Sequence, residues 1–303
     1  MKKKVRFIVN PFSGTNKKYR LSALIETLLD TEKYDWEIVF TEYAGHAVEL
    51  ARAAVERKYF MVVAVGGDGS VNEVAQALIH SETVLGILPS GSGNGFAMHL
   101  GIGRNLKKAF RFLNEGRTLT IDTCRMGDTP FVNLAGLGFD AEVAARIKGR
   151  KLRGFWGYLV YSLQEAFSYR MMDFEITLNG QTFRRSCFTL AIANAPMYGY
   201  GFVVAPAAVL NDSKLEVMLI KKAPKWRIIL EGWRYLTNSL HKSPLAERYE
   251  TGVVEVKTPF APCAAHVDGE SLRVGASVRF EIVPASLKVM CPADYVPRGV
   301  EAL

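Results

Sequence analysis

Cysteine is scarce in this chain, which carries only Cys124, Cys187, Cys263 and Cys291 among 303 residues, with no CxxC spacing. That scatter argues against a zinc ribbon and a disulfide framework and fits a reducing compartment. No run of 18 apolar residues occurs, so no helical membrane span is predicted. Lys2-Lys3-Lys4 is followed only by Val5 to Val9 before Asn10-Pro11, too short for the apolar core of a signal peptide. The five histidines form no HExxH motif and no serine–histidine pairing, and GxxxxGK[ST] is missing, which excludes a P-loop enzyme. The expectation is a cytoplasmic protein, soluble or peripheral at the inner face of a membrane.

Hydrophobic residues make up 49% and charged residues 22%, an ordinary globular balance, and the length suits about two domains. Basic residues outnumber acidic ones 38 to 30, so polyanionic partners are expected: a nucleotide, an anionic lipid surface or nucleic acid.

The most informative stretch is Met61 to Ala75, MVVAVGGDGSVNEVA. Met61 to Val65 reads as a strand buried on both faces. Gly66-Gly67-Asp68-Gly69 predicts a tight turn through positive φ, and Ser70 with Glu73 predicts a capping box opening a helix. A strand, a glycine turn and a helix N-terminus present free N–H groups to phosphate. Asp68 has two readings: an Asx-turn, or a carboxylate that serves Mg²⁺ or a proton beside that phosphate.

Around this unit the chain alternates. Strands are predicted at 4–9, 36–41 and 84–88 and helices at 17–30 and 45–57, which implies a parallel sheet with helices on both faces. Ligands in such sheets bind beyond the carboxyl ends of the strands, here the loops Asn10–Gly14, Thr41–Gly45, Gly66–Ser70 and Pro89–Gly95. After about Thr120 the pattern becomes a succession of short strands, with Asn179-Gly180 as a hairpin turn, which predicts a β-sandwich or barrel. Gly136-Leu137-Gly138-Phe139-Asp140-Ala141 loosely matches a dinucleotide fingerprint but lacks a βαβ context, so it is read as tight packing. Two aromatic–basic helices, 146–169 and 226–240, are read with their apolar faces packed on the sheet, although as a pair they also fit an anionic lipid surface. Asp268-Gly269 reads as a type I′ hairpin turn, with Glu270 beside it.

Taken together, Asn10-Pro11-x-Ser13-Gly14, Gly66-Gly67-Asp68-Gly69-Ser70 with Asn72-Glu73, Leu88-Pro89-x-Gly91-Ser92-Gly93-Asn94 and Asp268-Gly269-Glu270 resemble the diacylglycerol kinase catalytic-domain family, which includes bacterial lipid kinases and sphingosine kinases. The resemblance covers nearly the whole chain. It implies an N-terminal doubly wound parallel α/β nucleotide domain (1–121), an antiparallel β-sandwich or barrel domain (122–292), an active site in a cleft between them, and a closing segment (293–303) that returns to the first domain.

It also implies an ATP- and Mg²⁺-dependent lipid kinase acting on diacylglycerol or a sphingoid base. ATP would meet Asn10, Pro11, Phe12, Ser13, Gly14, Thr41, Gly66, Gly67, Asp68, Gly69, Ser70, Asn72, Glu73, Gly91, Ser92, Gly93 and Asn94. Asp68 would serve the Mg²⁺–phosphate, and Glu270, with Asp268, would be the base for the lipid hydroxyl. Asp212 and Glu216 loosely match the segment that holds a structural Mg²⁺ in some members, although the neighbouring acid is Asn211 and the glycine is Ser213. The implied partners are a lipid alcohol and an anionic membrane surface, with no nucleic acid; a homodimer is left open. A soluble NAD kinase-like enzyme and a nucleotide-binding regulator without catalysis are the alternatives.

Overall fold

In the computed structural model the described residues are 2–11, 21–147, 160–162, 164, 165 and 168–300. They divide into two compact units. The first comprises the described residues up to Asp122 together with Ala285–Val296; the second comprises Thr123–Pro284 and residues 297–300. The return to the first unit therefore begins at Ala285, not at residue 293, and 297–300 belong to the second.

The first unit is a parallel sheet with helices between its strands. Strands β1 (Lys3–Val9), β2 (Tyr34–Phe40), β3 (Met61–Gly66) and β4 (Val84–Pro89) stand in the order β4-β3-β1-β2, with β1 paired in parallel to both β2 and β3. Every residue of β3 and β4 is buried, as expected of central strands covered on both faces. Helices α1 (Leu21–Leu28), α2 (His46–Glu56), α3 (Asp68–Leu78), α4 (Gly95–His99) and α5 (Leu106–Glu115) supply the cover. Ala47, Ala51 and Ala54 face inward from α2, and Val71, Val74, Ala75 and Leu78 from α3, each on one helical stripe. Each large apolar side chain so buried contributes about 1.5–3 kcal/mol relative to exposure. Neither α4 nor α5 is predicted from the sequence; α5 is capped by Asn105, whose side chain accepts the Lys108 N–H at 3.2 Å.

The second unit is an antiparallel β-sandwich. Its strands are the end of β5 (Arg117–Met126), then β6 (Thr129–Phe131), β7 (Leu134–Gly138), β8 (Met172–Leu178), β9 (Gln181–Ala193), β10 (Leu215–Lys221), β11 (Ala246–Thr251), β12 (Val253–Lys257), β13 (Cys263–Val267), β14 (Glu270–Val274) and the start of β15 (Ser277–Cys291). The order β14-β13-β7-β9-β8-β12-β15 forms its main run, and β10 adds β11 beside β9. Asn179 and Gly180 both take positive φ between β8 and β9, the type I′ turn expected. Among its helices, α6 (Phe139–Ile147) follows β7 directly, and α7 (Lys225–Glu231) and α8 (Trp233–Leu236) follow β10.

In place of short strands, Ser277–Cys291 is one continuous strand, β15, whose last part belongs to the first unit. There Val289 pairs in parallel with Leu85, the Ala285 N–H donates to Asp122 Oδ1 at 2.7 Å, and Leu287 and Val289 are fully buried.

The predicted helix at 226–240 is shorter and broken. Ile228 packs on the sandwich core, but Trp226, Ile229, Leu230 and Trp233 are exposed, so the expected burial of its apolar face does not hold. Most of the other aromatic–basic helix, with Arg150, Lys151, Arg153, Phe155 and Trp156, lies outside the described residues. Among the described residues no helix is long and apolar enough to cross a membrane.

Candidate active site

Four loops of the first unit meet at the carboxyl ends of its parallel strands. The Asn10 N–H donates to the Val65 carbonyl at 3.2 Å, and its side-chain amide donates to Ser70 Oγ at 3.3 Å, tying the loop after β1 to the start of α3. The Thr41 N–H donates to the Val9 carbonyl at 2.9 Å, and the Gly45 N–H donates to Glu73 Oε1 at 3.0 Å, tying the loop after β2 to the same helix. The Ser90 and Gly91 N–H groups both donate to the Gly66 carbonyl, at 2.8 and 3.1 Å. Pro11 is an exposed turn residue, whereas Phe12, Ser13 and Gly14 lie outside the described residues.

The glycines of this edge serve a different purpose from the one predicted. None of Gly66, Gly67 and Gly69 takes positive φ, and Gly67 is extended at φ −97°. What glycine provides is close approach: a Cβ on Gly91 would lie 2.3 Å from the Gly67 Cα. Positive φ at this edge falls instead on Gly45 (φ 88°) and on Asn94 (φ 55°), whose side chain accepts the Gly91 N–H at 3.1 Å and donates to the Gly91 carbonyl at 2.7 Å. The predicted capping box is also absent. Helix α3 starts at Asp68 behind Gly67, which has no side chain to cap it, and Glu73 is spent on Gly45. A helix start left open in this way, beside two touching glycines, suits an anionic group close to the backbone. Asn72 Oδ1 and Ser90 Oγ, both buried here, have no hydrogen-bond partner, which fits a polar ligand at this edge.

Asp68 sits in the first turn of α3, and its Oδ1 accepts the Phe96 N–H at 3.2 Å, so it caps the start of α4 and makes no Asx-turn for its own loop. Burial raises its pKa, opposed by the backbone N–H groups of Gly95, Phe96 and Asn94. A carboxylate penalised by burial and answered only by amides gains from a divalent cation. Among the described residues no cluster of three histidine, cysteine or acidic side chains could hold a metal ion. That donor set suits Mg²⁺ brought in by nucleotide phosphates and met by one carboxylate.

In the second unit, Asp268 (φ 48°) and Gly269 (φ 85°) form the hairpin turn between β13 and β14, and Val267 pairs with Glu270 across it. Asp268 is buried. Its Oδ1 accepts the N–H groups of Asn133 and Leu134 at 3.0 and 2.9 Å, and its Oδ2 accepts that of Val132 at 3.0 Å. The Asp268 N–H donates in turn to the Leu134 carbonyl at 2.8 Å. Asp268 therefore fixes the turn to the start of β7, and Glu270 projects from it into solvent.

Asp212 and Glu216 do not make the second metal site implied by the resemblance. Glu216 is buried, with Oε1 accepting Arg248 Nε at 2.8 Å and Oε2 accepting the Ala207 N–H at 2.8 Å. Burial raises its pKa and Arg248 opposes the rise, so a guanidinium occupies the role a cation would have. Asp212 closes a local turn by accepting the Lys214 N–H at 3.1 Å.

Sequence reasoning does not identify a buried polar group beside the hairpin. Asp140, in the first turn of α6, accepts from Thr189 Oγ1 and from the Tyr198 hydroxyl, both at 2.9 Å, and that hydroxyl lies 3.2 Å from His266 Nε2. Burial raises the pKa of Asp140 and lowers that of His266 to about 4. The signal was Gly136, where a Cβ would meet His266 Nε2 at 2.6 Å; the glycine pair of the loose dinucleotide fingerprint serves packing, as expected.

Comparison with known proteins agrees with these two units. Residues 4–126 match the family model described as diacylglycerol kinase catalytic domain, and residues 133–291 match the YegS C-terminal NAD kinase beta sandwich-like domain. A Klebsiella pneumoniae protein named probable lipid kinase YegS-like is 30% identical over 273 residues, covering 88% of this chain and 90% of its own. A diacylglycerol kinase of Bacillus subtilis is 31% identical over 227 residues, covering 73% and 75%. The fold is shared with a crystal structure titled a diacylglycerol kinase from Bacillus anthracis, at a TM-score of 0.74 and 18% identity over 97% of this chain and 98% of that one. The chain belongs to the family of diacylglycerol kinase-like, YegS-like lipid kinases.

Proposed function

We propose that this lipid kinase transfers the γ-phosphoryl group of ATP to the hydroxyl of diacylglycerol or a related lipid alcohol such as a sphingoid base. The observation that carries the nucleotide half is the start of α3 behind Gly67, which carries no capping side chain and which Gly91 approaches closely, an arrangement suited to phosphate. Asn10, Thr41, Asn72, Ser92 and Asn94 line the same edge and would orient the nucleotide, with Phe12, Ser13 and Gly14 beside them in sequence. Mg²⁺, when bound with the phosphates and met by Asp68, supplies charge neutralisation.

The chemistry assigned to the chain is positioning and proton transfer. The lipid oxygen attacks the γ-phosphorus, the bond from that phosphorus to the β-bridging oxygen breaks, and ADP leaves with the electron pair. The Glu270 carboxylate accepts the hydroxyl proton, while Asp268, held by three amides, positions the turn that carries it.

The test is ATP consumption with Mg²⁺ against a panel of lipid alcohols in mixed micelles, with NAD alongside. Turnover on one lipid class that disappears in Glu270→Gln supports the reading. Turnover on NAD alone would replace it with a soluble kinase, and tight ATP binding without turnover on any acceptor would replace it with a regulator.

A further inference from the structure

Helices α7 and α8 present an apolar face outward. Trp226, Ile229, Leu230 and Trp233 follow the spacing i, i+3, i+4, i+7, which places them on one helical side. They are 67%, 42%, 62% and 51% exposed, while Ile228 on the other side packs on the sandwich core. The usual amphipathic arrangement, apolar stripe inward, is reversed. Gly232 keeps helical angles (φ −58°, ψ −26°) and its N–H donates to the Ile229 carbonyl, so the face runs on from one helix to the next. Two exposed tryptophans and two large aliphatics in one patch are costly on a solvated surface and mark something that covers them.

The charge around the patch selects the cover. Residues 221–234 hold five basic side chains, Lys221, Lys222, Lys225, Arg227 and Arg234, against Glu231 alone. Lys222, Lys225 and Arg227 are exposed beside the apolar face, and the Arg234 guanidinium sits 5.0 Å from the Trp233 ring centre. A second copy of this chain would bring the same positive charge against itself, which disfavours self-association. An anionic bilayer satisfies both features, because tryptophan and leucine enter the headgroup–acyl boundary while lysine and arginine meet the lipid phosphates. We infer that α7 and α8 form the surface by which the protein seats on an anionic membrane, with Trp226, Ile229, Leu230 and Trp233 inserted. This rests on the lipid-kinase reading only for its purpose, since an enzyme acting on a bilayer lipid has to meet the bilayer.

The test is sedimentation of the full chain with vesicles of phosphatidylglycerol and phosphatidylcholine, compared with vesicles of phosphatidylcholine alone, at low and high salt. The expected result is partitioning at least about tenfold stronger onto the anionic vesicles, weakened by salt. The pair Trp226→Glu/Trp233→Glu should lose binding by about tenfold or more. Lys222→Glu/Arg227→Glu should lose the preference for anionic lipid. Both should retain wild-type phosphorylation of a monomeric short-chain diacylglycerol. If the tryptophan pair lowers the melting temperature, Leu230→Glu, also on the exposed face, repeats the measurement.

Wild-type binding that both variants retain would overturn the inference. So would failure of the wild type to bind vesicles, including the case where a dimer seen by sedimentation velocity dissociates in the tryptophan pair. Vesicle binding with the expected variant pattern, but no phosphorylation of any lipid alcohol, would remove the kinase reading and leave the surface standing.

Discussion

Gly91 lies so close to Gly67 that a methyl group on it would sit 2.3 Å from the Gly67 Cα. These two residues come from the loops after β4 and β3, and the contact sets how near a ligand can come to the backbone of both. Gly91→Ala has to push the loops apart. We expect ATP affinity, read by calorimetry, to fall at least about tenfold, with about 1–3 kcal/mol lost from stability. Unchanged affinity would show that the loop pair does not hold the nucleotide.

Asp68→Asn separates the two duties of that side chain. The amide oxygen can still accept the Phe96 N–H, so α4 should keep its start and the melting temperature should hold. Loss of the charge should lower turnover by at least ~10²-fold, the scale for removal of a charge-stabilising group. Near-normal turnover would leave Asp68 as a cap and nothing more.

The hairpin carboxylates should behave differently from each other. Asp268→Ala strands three buried N–H groups and should cost about 3 kcal/mol in urea denaturation, whereas Asp268→Asn should cost less. Glu270→Gln, on the exposed side of the turn, should leave stability within about 0.5 kcal/mol and abolish turnover. Equal destabilisation by Asp268→Ala and Glu270→Gln would contradict this division.

Two histidines set an acid limit. Burial lowers the pKa of His99 and of His266 to about 4, so each is neutral in the folded chain at a pH where the unfolded chain protonates it. The unfolded state binds more protons between about pH 6.5 and 4, so stability is full above that window and falls as pH drops through it, by up to about 3 kcal/mol per histidine. Asp140, raised by burial, acts in the opposite sense and blunts the fall. Thermal unfolding from pH 7.5 down to 4.5 should show the decline, and His266→Asn should flatten it. A melting temperature constant over that range would exclude the assignment.

Chelation should not loosen the second unit. Because Arg248 already satisfies Glu216, dialysis against EDTA without nucleotide should leave the melting temperature unchanged. Arg248→Met should cost about 3–5 kcal/mol by leaving a buried carboxylate unpaired. A drop on chelation restored by Mg²⁺ would reinstate a metal near Asp212 and Glu216.

What could be read from the sequence was what is local. MVVAVGGDGS specifies a buried strand followed by a helix, and Asn179-Gly180 and Asp268-Gly269 specify hairpins, because each rests on local periodicity or on adjacent φ and ψ preferences. What escaped depends on partners far along the chain. Glu73 looked like half of a capping box because Gly45, its acceptor's real donor, lies 28 residues earlier. The anchoring of Asp268 escaped because the amides that hold it stand 134 to 136 residues away. The sequence groups Trp226, Ile228, Ile229 and Trp233 as apolar residues packed on the sheet, but a period cannot say which side of a helix faces the core, and of these four Ile228 alone packs on it.

The late return of β15 has a consequence for the order in which the chain can fold. Leu287 and Val289 complete the first sheet beside β4, and Asp122 waits for the Ala285 N–H. A chain emerging from the ribosome therefore makes the whole sandwich before its first-made sheet receives its last strand. The loops at the carboxyl ends of β1 to β4 are synthesised early, and the sheet that carries them is completed late. On the proposed function, competence to bind ATP should then appear only when translation has passed Cys291, which places readiness of the first unit after synthesis of the strands of the second.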